Sequence, residues 1–145
     1  MVDISSKKPT RRKALASAYV RAREETLTKF FQGRLPKGDA LTAATLAGIL
    51  AAKKTSELIP LAHPISLEHV EIDFERVSAG SLRITAEAKT TAPTGVEMEA
   101  MTAAVLAALV IYDMCKGIDP SIEIGPVRLE RKEGGRSGTW KRVES

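Results

Sequence analysis

Two charged clusters flank an otherwise apolar stretch. Gly95-Val96-Glu97-Met98-Glu99 puts two carboxylates at its start, and Tyr112-Asp113-Met114-Cys115-Lys116 puts a carboxylate and an amine at its end. Residues three apart on a helix face the same way, so Asp113 and Lys116 meet. On an open surface they would form an ordinary ion pair, and the glutamates would only complement a helix dipole. Their place beside apolar sequence points to partial burial, which shifts pKa values and prepares carboxylates and amines for proton transfer. A third cluster, Leu61-Ala62-His63-Pro64, carries an imidazole whose direction is restricted, because the residue before a proline is held extended. His69 falls on the polar face of a strand and is left out of the site. Scattered cations at Lys37, Lys53, Lys54, Arg128, Lys132 and Arg136 are each ordinary surface charge, yet together they suit a triphosphate held by charge-assisted hydrogen bonds. Gly134-Gly135-Arg136-Ser137-Gly138 lacks the spacing of a phosphate loop and the helix that should follow it. No serine-histidine-aspartate order, dinucleotide fingerprint or metal motif occurs.

These groups need a scaffold. Arg11 to Val20 is read as a first strand, and Arg23 to Phe31 as a short helix ending at Gly33. Asp39 caps a helix running to Lys53, whose apolar positions are Leu41, Ala44, Leu46, Ile49 and Leu50, with Gly48 implying close packing. Pro60 and Pro64 interrupt the chain. Residues 67–77 alternate, with Val70, Ile72 and Phe74 on one face, and turn through Ser78-Ala79-Gly80-Ser81 into an antiparallel partner carrying Leu82, Ile84, Ala86 and Ala88. A long helix spans Gly95 to Lys116. Ile122 to Arg131 is a last strand, broken by a bulge or edge position at Gly125-Pro126. From Gly134 the tail is Gly-rich and basic, and is expected to be mobile. The order is β-α-β-β-α-β, an α+β, ferredoxin-like arrangement with an antiparallel sheet and helices on one face.

The 145 residues suit a single domain, residues 1–145, and 43% hydrophobic against 28% charged residues reads as globular. One cysteine excludes an internal disulfide, and two histidines beside it exclude a four-ligand zinc site. The polar, basic N-terminus is no secretory signal, and the apolar run Ala103 to Tyr112 is short for a membrane span, so cytoplasm and no membrane are expected. Net charge is +7 over residues 1–37, −5 over residues 38–115 and +2 over residues 116–145. Basic ends around an acidic middle suit an anionic ligand. Nucleic acid fits that field too, but aromatics are only 4% of the chain and supply no stacking surface, so no nucleic-acid partner is expected.

Ala103 to Tyr112 is apolar on every side, which implies cover beyond one sheet and therefore a homo-oligomer. Glu99 and Asp113 are about 21 Å apart along one helix, so a single small substrate meets both only if a neighbouring subunit supplies one of them.

Three segments taken together closely resemble the molybdenum cofactor biosynthesis protein C family, the cyclic pyranopterin monophosphate synthases. They are Lys54-Thr55-Ser56-Glu57-Leu58-Ile59-Pro60-Leu61-Ala62-His63-Pro64, Gly95 to Ala100, and Ile111 to Lys116. Met1-Val2-Asp3-Ile4-Ser5, Lys37-Gly38-Asp39 and Gly125-Pro126-Val127-Arg128-Leu129 match as well. The resemblance implies a ferredoxin-like fold, a hexamer built as a trimer of dimers, and pockets between subunits. It implies conversion of a cyclised dihydroguanosine triphosphate into cyclic pyranopterin monophosphate with release of pyrophosphate and no redox cofactor. By the same resemblance Asp113 and Lys116 are the central acid–base pair, with Lys37 and Lys132 as further catalytic or phosphate-binding lysines. Leu61, Ala62, His63, Glu97, Met98, Glu99 and Arg12 then meet the substrate. Ala62 replaces a cysteine found in many members, and Arg136 replaces a lysine, keeping its charge but not its ease of deprotonation.

Overall fold

The computed structural model describes residues 1–144. Its elements are β1 (Thr10–Arg21), α1 (Glu24–Gln32), α2 (Ala40–Lys53), α3 (Thr55–Leu58), β2 (His69–Ser78), β3 (Ser81–Ala92), α4 (Glu97–Cys115), β4 (Glu123–Glu133) and β5 (Trp140–Lys141). One antiparallel sheet has the order β2-β3-β1-β4-β5. Its first four strands and the helices α2 and α4 make the ferredoxin-like α+β fold.

Strand alternation builds the inner face. Ala14, Ala16, Ala18 and Val20 of β1 lie opposite Ala88, Ala86, Ile84 and Leu82 of β3, and all eight are buried. The covering face of α4 is equally small: Ala100, Ala103, Ala104, Ala107 and Ala108 are buried there. Methyl groups on both layers let the helix lie close on the sheet. By length and composition α4 would also cross a membrane, but here half of that apolar window is buried as the core helix.

Asp39 caps α2 by accepting from the Thr42 N–H at 3.1 Å, as expected. The buried face of α2 differs from expectation. Ala40, Ala44, Gly48, Ala51 and Ala52 face inward, whereas Leu46 and Leu50 are 58% and 54% exposed. The reason is the closeness of α2 and α4. A Cβ at Gly48 would overlap Ile72 and come within 3.1 Å of the Ala103 carbonyl oxygen, so only small residues fit this seam. The leucines are left to face outward.

Several element bounds also differ: β2 starts at His69 and β4 runs on to Glu133. α4 starts at Glu97 rather than Gly95, and α3 is an unforeseen single turn. After Gly134 the chain adds an unforeseen short strand, β5. Gly134 and Gly135, at φ 103° and 77°, reverse the chain so that β5 pairs with Arg131 and Lys132 of β4. Arg142 extends this contact, its backbone N–H donating to the Glu130 carbonyl at 2.9 Å and its Nε to the Leu129 carbonyl at 2.8 Å. At Gly125-Pro126 the register slips between Ala18↔Val127 and Val20↔Ile124, which is the expected bulge.

Behind α4, fully buried Asp119 ties the chain after the helix to the start of α1. Its carboxylate accepts from the Arg23 N–H at 2.9 Å, Thr26 Oγ1 at 2.9 Å, and the Ser121 N–H and Oγ at 3.0 and 2.5 Å. Burial alone would raise its pKa, but the hydrogen bonds from Ser121, Arg23 and Thr26 outweigh burial and hold it well below the usual carboxylate range. Because the folded value lies below the unfolded one, this contribution is complete above the ordinary value of 3.8 and is lost as pH falls below it. Asp119→Ala strands a buried hydroxyl and backbone N–H groups, so it is expected to destabilise the fold by about 3 kcal/mol. Denaturant unfolding at neutral pH checks this, and the gap between variant and wild type should close in acid.

Candidate active site

Six of the charged residues named above, Lys37, Asp113 and Lys116 and then Glu97, Glu99 and Lys132, gather at the two ends of α4. At its C-terminal end Asp113 holds two amines, Lys116 Nζ at 2.9 Å from Oδ1 and Lys37 Nζ at 3.1 Å from Oδ2. Lys37 reaches this point from the turn before α2, closed by the Gly38 N–H donating to the Leu35 carbonyl at 3.0 Å. The helix supplies Asp113 and Lys116 one turn apart. All three side chains are about half exposed. The Lys116 and Lys37 ammonium groups hold the Asp113 carboxyl below its ordinary value, while Asp113 raises Lys116 above its own.

Burial was expected to bring these groups toward neutral pKa values, and the single chain does the reverse. Largely open to water, the pair stabilises both charged forms, and this outweighs the slight desolvation each group meets in the single chain.

At the N-terminal end lies a cavity of about 370 Å³. Leu61, Ala62 and His63 form one side, and Glu97, Met98 and Glu99 another. The chain between α3 and β2 brings the first group here, and the first turn of α4 brings the second. Glu99 is only 4% exposed, and burial pushes its carboxyl up, with Glu97 adding to the shift against its own backbone hydrogen bond. A carboxyl raised in this way can hold a proton nearer neutral pH and give it up to substrate. Lys132 of β4 pairs with Glu97 at 3.4 Å, so it belongs to this cluster.

Arg12 is close by but turned differently. Its Nε donates to the Ala92 carbonyl at 3.3 Å, and it packs beneath Gly134 and Gly135, which have no side chain to displace it. It lines a second cavity of about 470 Å³ with Lys13, Lys89, His69 and Glu133. That larger cavity contains none of the other proposed residues, and Lys13 and Lys89 are drawn to Glu87 at 3.3 and 3.4 Å. Its size is therefore a poorer guide than the chemistry of the smaller one. Lys54 and Arg128 join neither cluster, being paired with Glu57 at 3.8 Å and Glu130 at 2.7 Å. Among the described residues no group of three histidine, cysteine or acidic side chains could hold a metal. Cys115 is buried and its thiol is pushed up to about 11 by burial and then by Asp119, so it offers no thiolate near neutral pH.

Residues not assigned to the site from sequence also line the smaller cavity: Val2, Ile4 and Lys7 before β1, and Ile65, Thr94 and Gly95. By composition the opening segment is only polar and basic. Its match to the resembling family was the one signal of anything more.

A single line connects the two clusters. At the 100° per residue of an α-helix, Met98, Val105, Leu109 and Lys116 fall within about 20° of one line along α4, and Asp113 about 60° from it. All five are exposed, with Val105 and Leu109 at 37% and 50%. The expectation of a helix apolar all round, and covered on one side only, holds for this chain. Its uncovered face carries apolar residues in the middle and candidate site residues at both ends.

The MoaC family model matches residues 1–135. The cyclic pyranopterin monophosphate synthase of Geobacter sulfurreducens is 54% identical over 145 residues, covering 99% of this chain and 91% of that protein. The enzyme of the same name from Listeria monocytogenes is 52% identical over 141 residues, covering 97% and 88%. With the family model matching residues 1–135 and relatives more than half identical over nearly the whole chain, the chain belongs to the MoaC family.

Proposed function

We propose that this chain is a cyclic pyranopterin monophosphate synthase of molybdenum cofactor biosynthesis. It acts as one catalytic domain that converts a cyclised dihydroguanosine triphosphate into cyclic pyranopterin monophosphate and pyrophosphate. The site is composite. Glu97, Met98, Glu99, Leu61, Ala62, His63, Lys132 and Arg12 come from one subunit, and Asp113, Lys116 and Lys37 from its neighbour. The observation that carries this reading is the exposed stripe of α4. Two such helices set antiparallel across a twofold axis cover Val105 and Leu109 and bring the Asp113 end of one to the Glu99 end of the other. Leu46 and Leu50 of α2 widen the same kind of uncovered apolar surface. The full assembly is a homohexamer, a trimer of such dimers, acting in the cytoplasm without nucleic acid or membrane.

The chemistry suits these groups. Opening and rebuilding the purine-derived ring requires protons to be added and removed at several nitrogens and oxygens, which Asp113, Lys116 and Glu99 can do once covered from water. Closing the cyclic phosphate is attack of a ribose-derived hydroxyl on the α-phosphorus with loss of pyrophosphate as the bond to the β-phosphate breaks. Lys37 and Lys132 stabilise the charge that develops as it leaves.

The test is incubation of the purified protein with the cyclised nucleotide, with phosphorus NMR following the reaction. One pyrophosphate for each cyclic phosphodiester is expected. Binding without turnover would favour a ligand-sensing domain and overturn the reading.

A further inference from the structure

The segment before β1 belongs to no helix or strand, yet it is fixed in place. Asp3 Oδ1 accepts from the Ser5 N–H at 2.9 Å, and the Lys7 N–H donates to the Ile4 carbonyl at 3.0 Å, which folds the segment into consecutive turns. His63 Nε2 lies 2.6 Å from the Val2 carbonyl oxygen. A carbonyl only accepts, so Nε2 carries the hydrogen and is already engaged. That contact lays Val2, Ile4 and Lys7 along the small cavity opposite Met98 and Glu99.

The charges of this cavity are unbalanced for an anionic guest. Its carboxylates are Glu97 and Glu99, and its one lysine or arginine is Lys7. Lys132, just outside, is drawn to Glu97. Among the described residues no carboxylate lies within 4.0 Å of Lys7, and its side chain is exposed. From the cavity lining of one subunit, a triphosphate entering here meets two acids, an imidazole whose Nε2 is committed, and one cation free to bind it.

We propose that residues 2–7 form the phosphate-facing wall of the substrate cavity, with Lys7 contacting the phosphates and His63 acting as the positioning residue that holds the wall through Val2. This rests on the synthase reading above. It assigns His63 a role toward the segment before β1, leaving Nδ1 alone for the substrate.

The experiment is steady-state kinetics of Lys7→Gln and Lys7→Arg beside wild type, measured by pyrophosphate release from the cyclised nucleotide. Loss of one charge-assisted phosphate contact is expected to raise KM by about tenfold to a hundredfold in Lys7→Gln, with kcat within about threefold. Lys7→Arg, which keeps the charge, should stay within about threefold of wild type in KM. Inhibition by inorganic tripolyphosphate should weaken in Lys7→Gln by the same factor as KM rises, while Tm is unchanged; a residue needed only for folding would move Tm and leave that ratio alone. Active wild type with unchanged KM and tripolyphosphate inhibition in Lys7→Gln would overturn this assignment and leave the synthase reading intact. Inactive wild type would instead overturn the synthase reading, and tripolyphosphate binding by calorimetry would still decide the role of Lys7.

Discussion

Asp113→Ala is expected to lower turnover by about a thousandfold or more, with fold and assembly unchanged. General acid–base catalysis by one positioned side chain contributes about 10²–10⁴ in rate, and Asp113 also sets the state of two amines. Lys116 at 2.9 Å and Lys37 at 3.1 Å share this one carboxylate. Without it two like charges face each other with nothing between them, and the Lys116 pKa loses the raising influence of Asp113. Catalysis then suffers both a missing proton acceptor and two disordered amines. Stability should barely change, because all three groups are half exposed and exposed ion pairs contribute little. Asp113→Asn separates charge from shape: it fills the same space and should be about as inactive. The checks are pyrophosphate release for turnover, circular dichroism for the fold and sedimentation for the assembly. Turnover within tenfold of wild type in Asp113→Ala would remove Asp113 from the chemistry.

Leu109→Glu is expected to have an equally large effect without touching a reacting group. Leu109 sits at the middle of the exposed stripe, half exposed in the single chain and one helical turn before Asp113. At a twofold contact a residue near the axis meets its own copy, so the substitution places two carboxylates together in an apolar interface. Sedimentation should show smaller species at micromolar concentration. Turnover should fall by at least about a hundredfold, because each half-site loses its complement. The inward face of α4 is untouched, so the far-UV spectrum should match wild type. Dissociated subunits with full activity would contradict a composite site, and an intact assembly would move the interface to another face.

How much was legible in the sequence depends on which physical constraint spoke. Alternation in Val70, Ile72 and Phe74, answered by Ala88, Ala86 and Ile84, stated the β2–β3 hairpin almost residue by residue, because one buried face forces a period of two. The cap at Asp39 and the bulge at Gly125-Pro126 were equally readable, each having a local cause. The inward face of α2 was not. Large apolar residues ordinarily mark the core, but here the α2–α4 seam admits only alanine and glycine, so Leu46 and Leu50 are turned outward. Gly48 was the hint, since a helix accepts a glycine where a neighbour approaches this closely. β5 was missed because two residues of strand hold no pattern of their own, and the pairing depends on a reversal at Gly134 and Gly135.

The site was half legible in the same sense. Helical spacing placed Asp113 beside Lys116 and separated both from Glu99, and that separation alone raised the question of a second subunit. Lys37 meeting Asp113 depends on a turn distant in sequence, and only family resemblance pointed to it. The contribution of Val2, Ile4 and Lys7 was hidden for a related reason. A segment outside any regular element has no periodicity to show which way it faces.

Co-expression of Asp113→Ala with Lys132→Ala subunits tests the composite site most directly. Each homogeneous variant should be inactive, since each lacks one end of every pocket. In randomly mixed dimers one pocket of each heterodimer collects both substitutions and the other neither, so about a quarter of all pockets are wild type. Activity near a quarter of the wild-type value in the mixed assembly is the predicted result. A mixed assembly no more active than either variant alone would mean that both residues act within one chain, and the account would be wrong.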